Sequence, residues 1–137
     1  MCGGRSGVME AACRGAKAVG GSTVGILPGP DRRDANDYLD VAIATGLGEA
    51  RNAIIVRTVD AVIAISGGFG TLSEIGLARK MGRPVVGLGT WELFRPGQVG
   101  EGILEVNTPD QAVEQAFVAA KAQTMDGSED GQGERDG

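Results

Sequence analysis

The 137-residue chain holds 24 glycines, carries a net charge of −5 and contains no histidine. Without histidine or a CxxC pair, the usual zinc sites and histidine-based triads are excluded; we expect no metal site, and chemistry based on carboxylates, arginine, hydroxyls or backbone. The acidic charge argues against nucleic-acid binding, and no run approaches the roughly 18 apolar residues that span a membrane, so a cytoplasmic protein is expected.

The predicted elements alternate between helices and short apolar strands. After an opening glycine turn and a helical pattern from Val8, they are a strand over 23–27, helices over 35–44 and 49–58, a strand over 60–65, a helix over 71–81, strands over 84–88 and 103–106, and a helix over 110–122. This alternation predicts an α/β fold, a three-layer α/β/α Rossmann-like domain with a parallel sheet. The runs 62–65 and 85–88 are continuously apolar, as strands buried on both faces are.

The ends of the chain suggest the domain limits. We expect one domain over residues 1–123 and a disordered tail over 124–137, because the tail is acidic, rich in glycine and without apolar anchors. The chain opens on a glycine turn of the kind that follows a strand, so we expect the first strand-helix-strand unit of such a domain to be missing.

A glycine loop between a predicted strand and a predicted helix is the strongest motif. Its residues are Ser66, Gly67, Gly68, Phe69, Gly70 and Thr71. Glycines let backbone N–H groups face a ligand, and a helix that opens at Thr71 adds free N–H groups and a positive dipole end. The loop therefore predicts a phosphate site, although a plain turn with Thr71 as helix cap is the alternative.

Two further turns are expected at the same edge of the sheet. The first comprises Gly3, Gly4, Arg5, Ser6 and Gly7 ahead of the helix at Val8, and the second is Pro28-Gly29 at the end of the strand 23–27. A single GGxxG turn is weak evidence, because such turns are common in α/β proteins. Several on one sheet edge could face a single nucleotide-like ligand.

Two charged side chains and two amides accompany these turns. Arg51, followed by Asn52, stands in the first turn of a predicted helix, where the helix dipole disfavours a cation; binding of a phosphate or carboxylate would explain it, and a solvated surface arginine is the alternative. Glu74 could close a capping box with Thr71, could place its carboxylate beside a sugar, or could do both. Asn36 is a plausible helix N-cap.

The order of these motifs resembles that of the LOG-like proteins, often labelled "possible lysine decarboxylase". In that family an arginine-containing helix precedes a PGGxGTxxE loop at the spacing seen between Arg51 and the Ser66–Glu74 run, and the turn at Gly3–Gly7 resembles the family's upstream glycine turn. The runs Gly25–Gly29, Ala50–Asn52 and Val85–Leu88, with Trp91 after them, are similar to the branch that includes molybdenum cofactor carrier proteins.

The resemblance implies two functions. A carrier would bind a phosphorylated ligand, either the molybdenum cofactor or a nucleoside monophosphate, as a homo-oligomer that requires no other cofactor. Alternatively, a phosphoribohydrolase of the cytokinin-activating type would cleave the N-glycosidic bond of a nucleoside 5′-monophosphate, with Arg51 and Glu74 as the catalytic pair. Ser66 stands where the hydrolases have proline, a departure that the carrier branch shares, and no lysine motif supports a decarboxylase.

Overall fold

The computed structural model describes residues 1–98 and 102–126. The chain divides into two compact units, residues 1–59 and 60–137. Each contains helices and parallel strands, which confirms the predicted α/β class. The predicted tail lies outside the described residues from 127 onward, whereas residues 124–126 continue the last helix.

The first unit is built around two parallel strands. Its elements are helix α1 (Val8–Ala18), strand β1 (Val24–Leu27), a 3-10 turn (Arg32–Asp34), strand β2 (Val41–Ala44), a second 3-10 turn (Gly48–Ala50) and helix α2 (Arg51–Thr58). Val24 lies opposite Val41 and Leu27 opposite Ala44. Apolar side chains of β1 and α2 form the buried core of this unit: Ile26, Leu27, Ile55 and Val56.

The helix predicted over 35–44 is wrong. Residues 41–44 form β2 instead, and an Asx turn in which Asn36 Oδ1 accepts the N–H of Tyr38 at 3.0 Å precedes it. Asp40 then aligns the strand, because its carboxylate accepts the N–H of Thr23 at 2.8 Å while its own N–H donates to the carbonyl of Thr23 at 3.0 Å. Pairing with β1 therefore overrides the local helical pattern.

The second unit contains a three-stranded parallel sheet in the order β3-β4-β5. Its elements are strand β3 (Val62–Ile65), helix α3 (Phe69–Lys80), strand β4 (Val85–Leu88), strand β5 (Leu104–Val106) and helix α4 (Pro109–Asp126). Central β4 is buried along Val85–Gly87, as its apolar run predicts, and α4 packs on the sheet through Ala112 and Ala116. In contrast, the burial on both faces that the apolar run 62–65 predicts is wrong for β3, where Ala64 is buried but Ile63 is 37% exposed.

The start of α4 is set by side chains that satisfy free backbone groups. Thr108 Oγ1 accepts the N–H of Gln111 at 3.2 Å, and Gln111 Oε1 accepts the N–H of Asn107 at 3.0 Å. This reciprocal arrangement is close to a capping box, with Pro109 at the first helical position, where its missing N–H costs nothing. The predicted entry at Thr108-Pro109 is thus confirmed.

We expect the hydrogen bonds of Asp40 to make the stability of the first unit depend on pH. Its pKa is lowered by the ammonium of Lys17, 2.6 Å away, and by the N–H of Thr23. A lowered folded-state pKa gives stability that is present above the ordinary carboxyl pKa of about 3.9 and lost as the pH falls through the folded-state value. Asp40→Asn should therefore lower the melting temperature at pH 7 but have progressively less effect toward pH 2.

Thermal unfolding monitored by circular dichroism between pH 2 and pH 7 measures this difference. Asp37→Asn, an exposed change of the same type three residues away, is the matched control. An equal loss for Asp40→Asn at every pH would contradict the proposed role of the ionised carboxylate.

Candidate functional site

The turn at Gly3–Gly7 follows a short parallel bridge in the first unit. Cys2 pairs with Gly25: the N–H of Cys2 donates to the carbonyl of Val24, and the N–H of Ile26 donates to the carbonyl of Cys2, both at 2.9 Å. The chain then turns through Gly4 and Gly7, which have positive φ angles of 75° and 76°. Gly7 is the N-cap of α1, and no side chain in the described part of the chain caps this helix.

Arg51 lies against the backbone of this turn. A Cβ atom at position 3 would lie 2.5 Å from Arg51 Nη1 and 2.7 Å from Nη2, so only glycine leaves room for the guanidinium there. Nη1 also donates to Oδ1 of the buried Asn52 at 2.8 Å. The arginine predicted as a ligand group is therefore partly buried and positioned on the first glycine turn, rather than extended into solvent.

Pro28 and Gly29 lie where β1 ends, beside the residues that follow β2. The carbonyl of Pro28 accepts the N–H of Gly48 at 2.9 Å, and the carbonyl of Gly29 accepts the N–H of Gly46 at 3.0 Å. These bonds connect the ends of both strands to the segment that enters α2 at Arg51. Parallel pairing thus brings the segments after β1 and β2 to one edge of this sheet, as predicted.

Asn36 also donates hydrogen bonds to the turn at Gly3–Gly7. Its N–H donates to the carbonyl of Gly4 at 2.9 Å, and its Nδ2 donates to the carbonyl of Arg5 at 3.0 Å. The predicted N-cap role of Asn36 is wrong, because no helix starts there. Its contribution to the turn could not be read from the sequence, since the two segments are 31 residues apart.

A pocket of about 330 Å³ opens beside Arg5 and Ser6. Three carboxylates, those of Glu10, Asp34 and Asp37, contribute to its lining. Carboxylates repel a phosphate but accept hydrogen bonds from amino groups. This pocket therefore suits the amino-bearing part of a ligand better than its phosphate.

A larger open groove of about 1070 Å³ lies along residues 30–44. It includes none of the predicted site residues, and its Arg33 is engaged by Asp31 at 2.6 Å. Within residues 1–98 and 102–126, no three histidine, cysteine, aspartate or glutamate side chains group into a metal site. No helix in the same ranges is long and apolar enough to cross a membrane.

The glycine loop of the second unit connects β3 to α3. Ser66 has a φ of +49°, in the left-handed region, and Gly67 has a φ of +100°. A Cβ atom on Gly67 would overlap the side chain of Thr71, so both backbone angle and space require glycine at this position. Residues 66–70 are all exposed to solvent.

The residues after β4 engage the carbonyl groups of this loop. Thr90 Oγ1 donates to the carbonyl of Ser66 at 2.6 Å, and Trp91 Nε1 donates to the carbonyl of Gly68 at 3.1 Å. Among the described residues, none accepts a hydrogen bond from the backbone N–H groups of residues 67–71. Those N–H groups, at the positive end of α3, are available to an anion.

The predicted cap of this helix is wrong. Helix α3 starts at Phe69 with Gly68 as its N-cap, so Thr71 is the third helical residue and Glu74 the sixth. Glu74 consequently cannot form a capping box with Thr71 as the N-cap. The helix begins two residues earlier than predicted, which places Phe69 and Gly70 in its first turn.

Sequence reasoning did not assign Thr90 or Trp91 to the loop. Trp91 also lies against Phe69, with ring centroids 5.7 Å apart. The sequence signal that could have assigned them to the loop was their position after β4, because neighbouring parallel strands end at the same edge of a sheet. Local patterns alone do not reveal that pairing.

The sequence matches the model of the SLOG cluster4 family over residues 1–121. It is 47% identical to an uncharacterized protein of Archaeoglobus fulgidus over 112 residues, which cover 81% of this chain and 69% of that protein. The structure is similar to the molybdenum cofactor binding protein of Rippkaea orientalis, with a TM-score of 0.75, 40% identity, and coverage of 85% of this chain and 74% of that one. The molybdenum cofactor carrier protein of Chlamydomonas reinhardtii gives a TM-score of 0.67 and 35% identity, over 85% and 76% of the two chains.

We expect proline at position 66 to be incompatible with this loop. Proline fixes φ near −65° and removes the N–H that Ser66 donates to the carbonyl of Leu88 at 3.1 Å. Ser66→Pro should lower the free energy of unfolding by about 3 kcal/mol or more. Ser66→Gly, which accepts the positive φ and keeps the N–H, is the control and should change it by less than about 1 kcal/mol. Urea unfolding compares the two variants, and equal stabilities would contradict this account of the loop.

Proposed function

Since the chain belongs to the SLOG cluster4 family of LOG-like proteins, we propose that it binds a phosphorylated small molecule and acts as a carrier of the molybdenum cofactor. The observation that supports this proposal most directly is the loop Ser66–Thr71. Its exposed backbone N–H groups stand at the positive end of α3, where an anion is stabilised.

The geometry of the loop suits a phosphate. Thr90 and Trp91 donate hydrogen bonds to two carbonyl groups of the loop, and the backbone N–H groups of the loop are left for the ligand. A Cβ atom at position 67 would overlap Thr71, so the close backbone turn depends on glycine. We propose that residues 66–71 hold the phosphate of the cofactor, which is cargo here rather than a resident group.

The first unit offers a second set of ligand groups. We propose that Arg51 and the turn Gly3–Gly7, together with Pro28, Gly29 and Asn52, form a ligand-binding set within the first unit. The guanidinium lies on the backbone of Gly3, and the pocket beside Arg5 and Ser6 is lined by carboxylates. Guanidinium groups bind anions, whereas the carboxylates suit the amino groups of a pterin or purine ring. The homo-oligomeric state and the cytoplasmic location expected from the sequence stay predictions.

The phosphate assignment is tested with two glycine variants of the same helix region. Gly67→Ala places a methyl group against Thr71, whereas Gly76→Ala meets no atom within 4 Å. We expect Gly67→Ala to weaken binding at least tenfold and Gly76→Ala to leave it unchanged, because a lost charge-assisted hydrogen bond costs about 1.5–3 kcal/mol. Isothermal calorimetry with purified protein, with molybdenum cofactor and AMP as separate ligands, measures both affinities.

The two ligands separate the parts of the proposal. Saturable binding of the molybdenum cofactor but not of AMP supports the carrier function. Binding of AMP alone would keep the phosphate site but contradict the carrier. A wild-type protein that binds neither ligand would overturn both.

A phosphoribohydrolase is the second candidate, and the position of Glu74 favours it. Glu74 is the sixth residue of α3, and its half-buried side chain lies one turn beyond the loop. A carboxylate near a bound ribose could stabilise positive charge at the anomeric carbon.

We therefore expect Glu74→Gln to abolish release of adenine from AMP while binding changes less than threefold, if the protein is a hydrolase. Chromatographic detection of free base from wild-type and variant protein measures this. Absence of free base with wild-type protein at high concentration would exclude hydrolysis of AMP and leave the carrier proposal intact.

A further inference from the structure

The two cysteines of the sequence lie against each other in the first unit. Cys2 Sγ and Cys13 Sγ are 3.5 Å apart, in hydrogen-bonding contact, and both are free thiols. Cys13 is 5% exposed, whereas Cys2 is partly accessible to solvent. A disulfide requires the sulfurs to approach to about 2.05 Å, so the two sulfurs must move closer by about 1.5 Å.

Both thiols are held by elements that restrict their movement. Cys2 is fixed by its two backbone hydrogen bonds to β1, and Cys13 lies on α1 with its sulfur 3.9 Å from Asn36 Nδ2. The N–H of Gly4 donates to Cys2 Sγ at 3.3 Å. These contacts hold the two sulfurs side by side, and the thiolate is the form of cysteine that reacts in disulfide exchange.

We propose that Cys2 and Cys13 form a reversible intramolecular disulfide, with a small-molecule disulfide such as oxidised glutathione as the oxidant. The bond closes a ring of residues 2–13 that contains the whole turn Gly3–Gly7 and the first part of α1. Neither the family match nor the solved relatives assign this site, and the inference does not depend on the ligand proposed above.

The exchange proceeds in two balanced steps. The more accessible Cys2 thiol loses its proton, and the thiolate attacks one sulfur of the oxidant; a mixed disulfide forms and one glutathione thiolate leaves. Cys13, as a thiolate, then attacks the Cys2 sulfur and displaces the second glutathione thiolate. The two leaving thiolates take up the two protons, so two cysteines are oxidised and one glutathione disulfide is reduced.

The bond would restrain the segment that carries the first glycine turn. In the reduced protein, cleavage after the exposed Arg5 frees residues 1–5 from the covalent chain. In the oxidised protein, the disulfide keeps that segment attached to α1. Trypsin therefore provides a direct readout, because cleavage after Arg5 and Arg14 places the two cysteines in separate peptides that only the disulfide joins.

The experiment equilibrates the 137-residue protein at several ratios of reduced to oxidised glutathione and quenches with acid. The remaining thiols are then alkylated and the mass is measured. Burial raises the pKa of the Cys2 thiol, so the incubation is carried out at about pH 8.5 to increase the thiolate fraction. We expect loss of two hydrogens from the intact mass, a joined peptide of residues 1–5 with 6–14, and an oxidation constant at least tenfold larger for native protein than for protein in urea.

The variant Cys13→Ala removes the second step but keeps the accessible thiol. We expect it to accumulate the glutathione adduct on Cys2, whereas wild-type protein accumulates little adduct. On non-reducing gels, wild-type protein should form no disulfide-linked dimer. Persistent adduct on wild-type protein, disulfide-linked dimers, or an oxidation constant no larger than that in urea would each overturn the proposal. Because these measurements use wild-type protein, poor folding of Cys13→Ala does not affect them.

Discussion

Parallel strand pairing is the constraint on which both units depend. Strands that run side by side in one direction end at one edge, so each chain segment that leaves a strand meets its neighbours there. In the first unit, backbone hydrogen bonds connect Cys2 to β1 and connect the Pro28-Gly29 turn to the segment that enters α2. In the second unit it brings the residues after β4 to the loop after β3.

Glycine allows the backbone to come close at these edges. Arg51 can lie on the Gly3 backbone, and Thr71 can fold back on Gly67, only because no Cβ stands in the way. The first contact positions a cation and the second leaves backbone N–H groups facing outward at a helix terminus. Both arrangements favour anions, although the net charge of the chain is negative. The anion binding that we propose would thus be local and would not require a basic surface.

The sequence predicted most elements because their patterns were strong. The apolar runs at β1, β3 and β4 and the Thr108-Pro109 helix start were recognisable from residue types alone. Two predictions failed for one reason: residues 41–44 pair with β1, and Asn36 supports a turn 31 positions earlier. Each outcome depends on contacts with distant residues, which outweigh local propensity.

The sequence by itself determined the α/β class, the family resemblance and the positions of the glycine turns, because periodicity and glycine spacing are local properties of the chain. Only the tertiary structure decided that Arg51 rests on Gly3, that Thr90 and Trp91 orient the loop at Ser66–Thr71, and that Cys2 and Cys13 are in contact. Those contacts arise when parallel pairing brings separated segments together, and local sequence patterns do not indicate which segments pair.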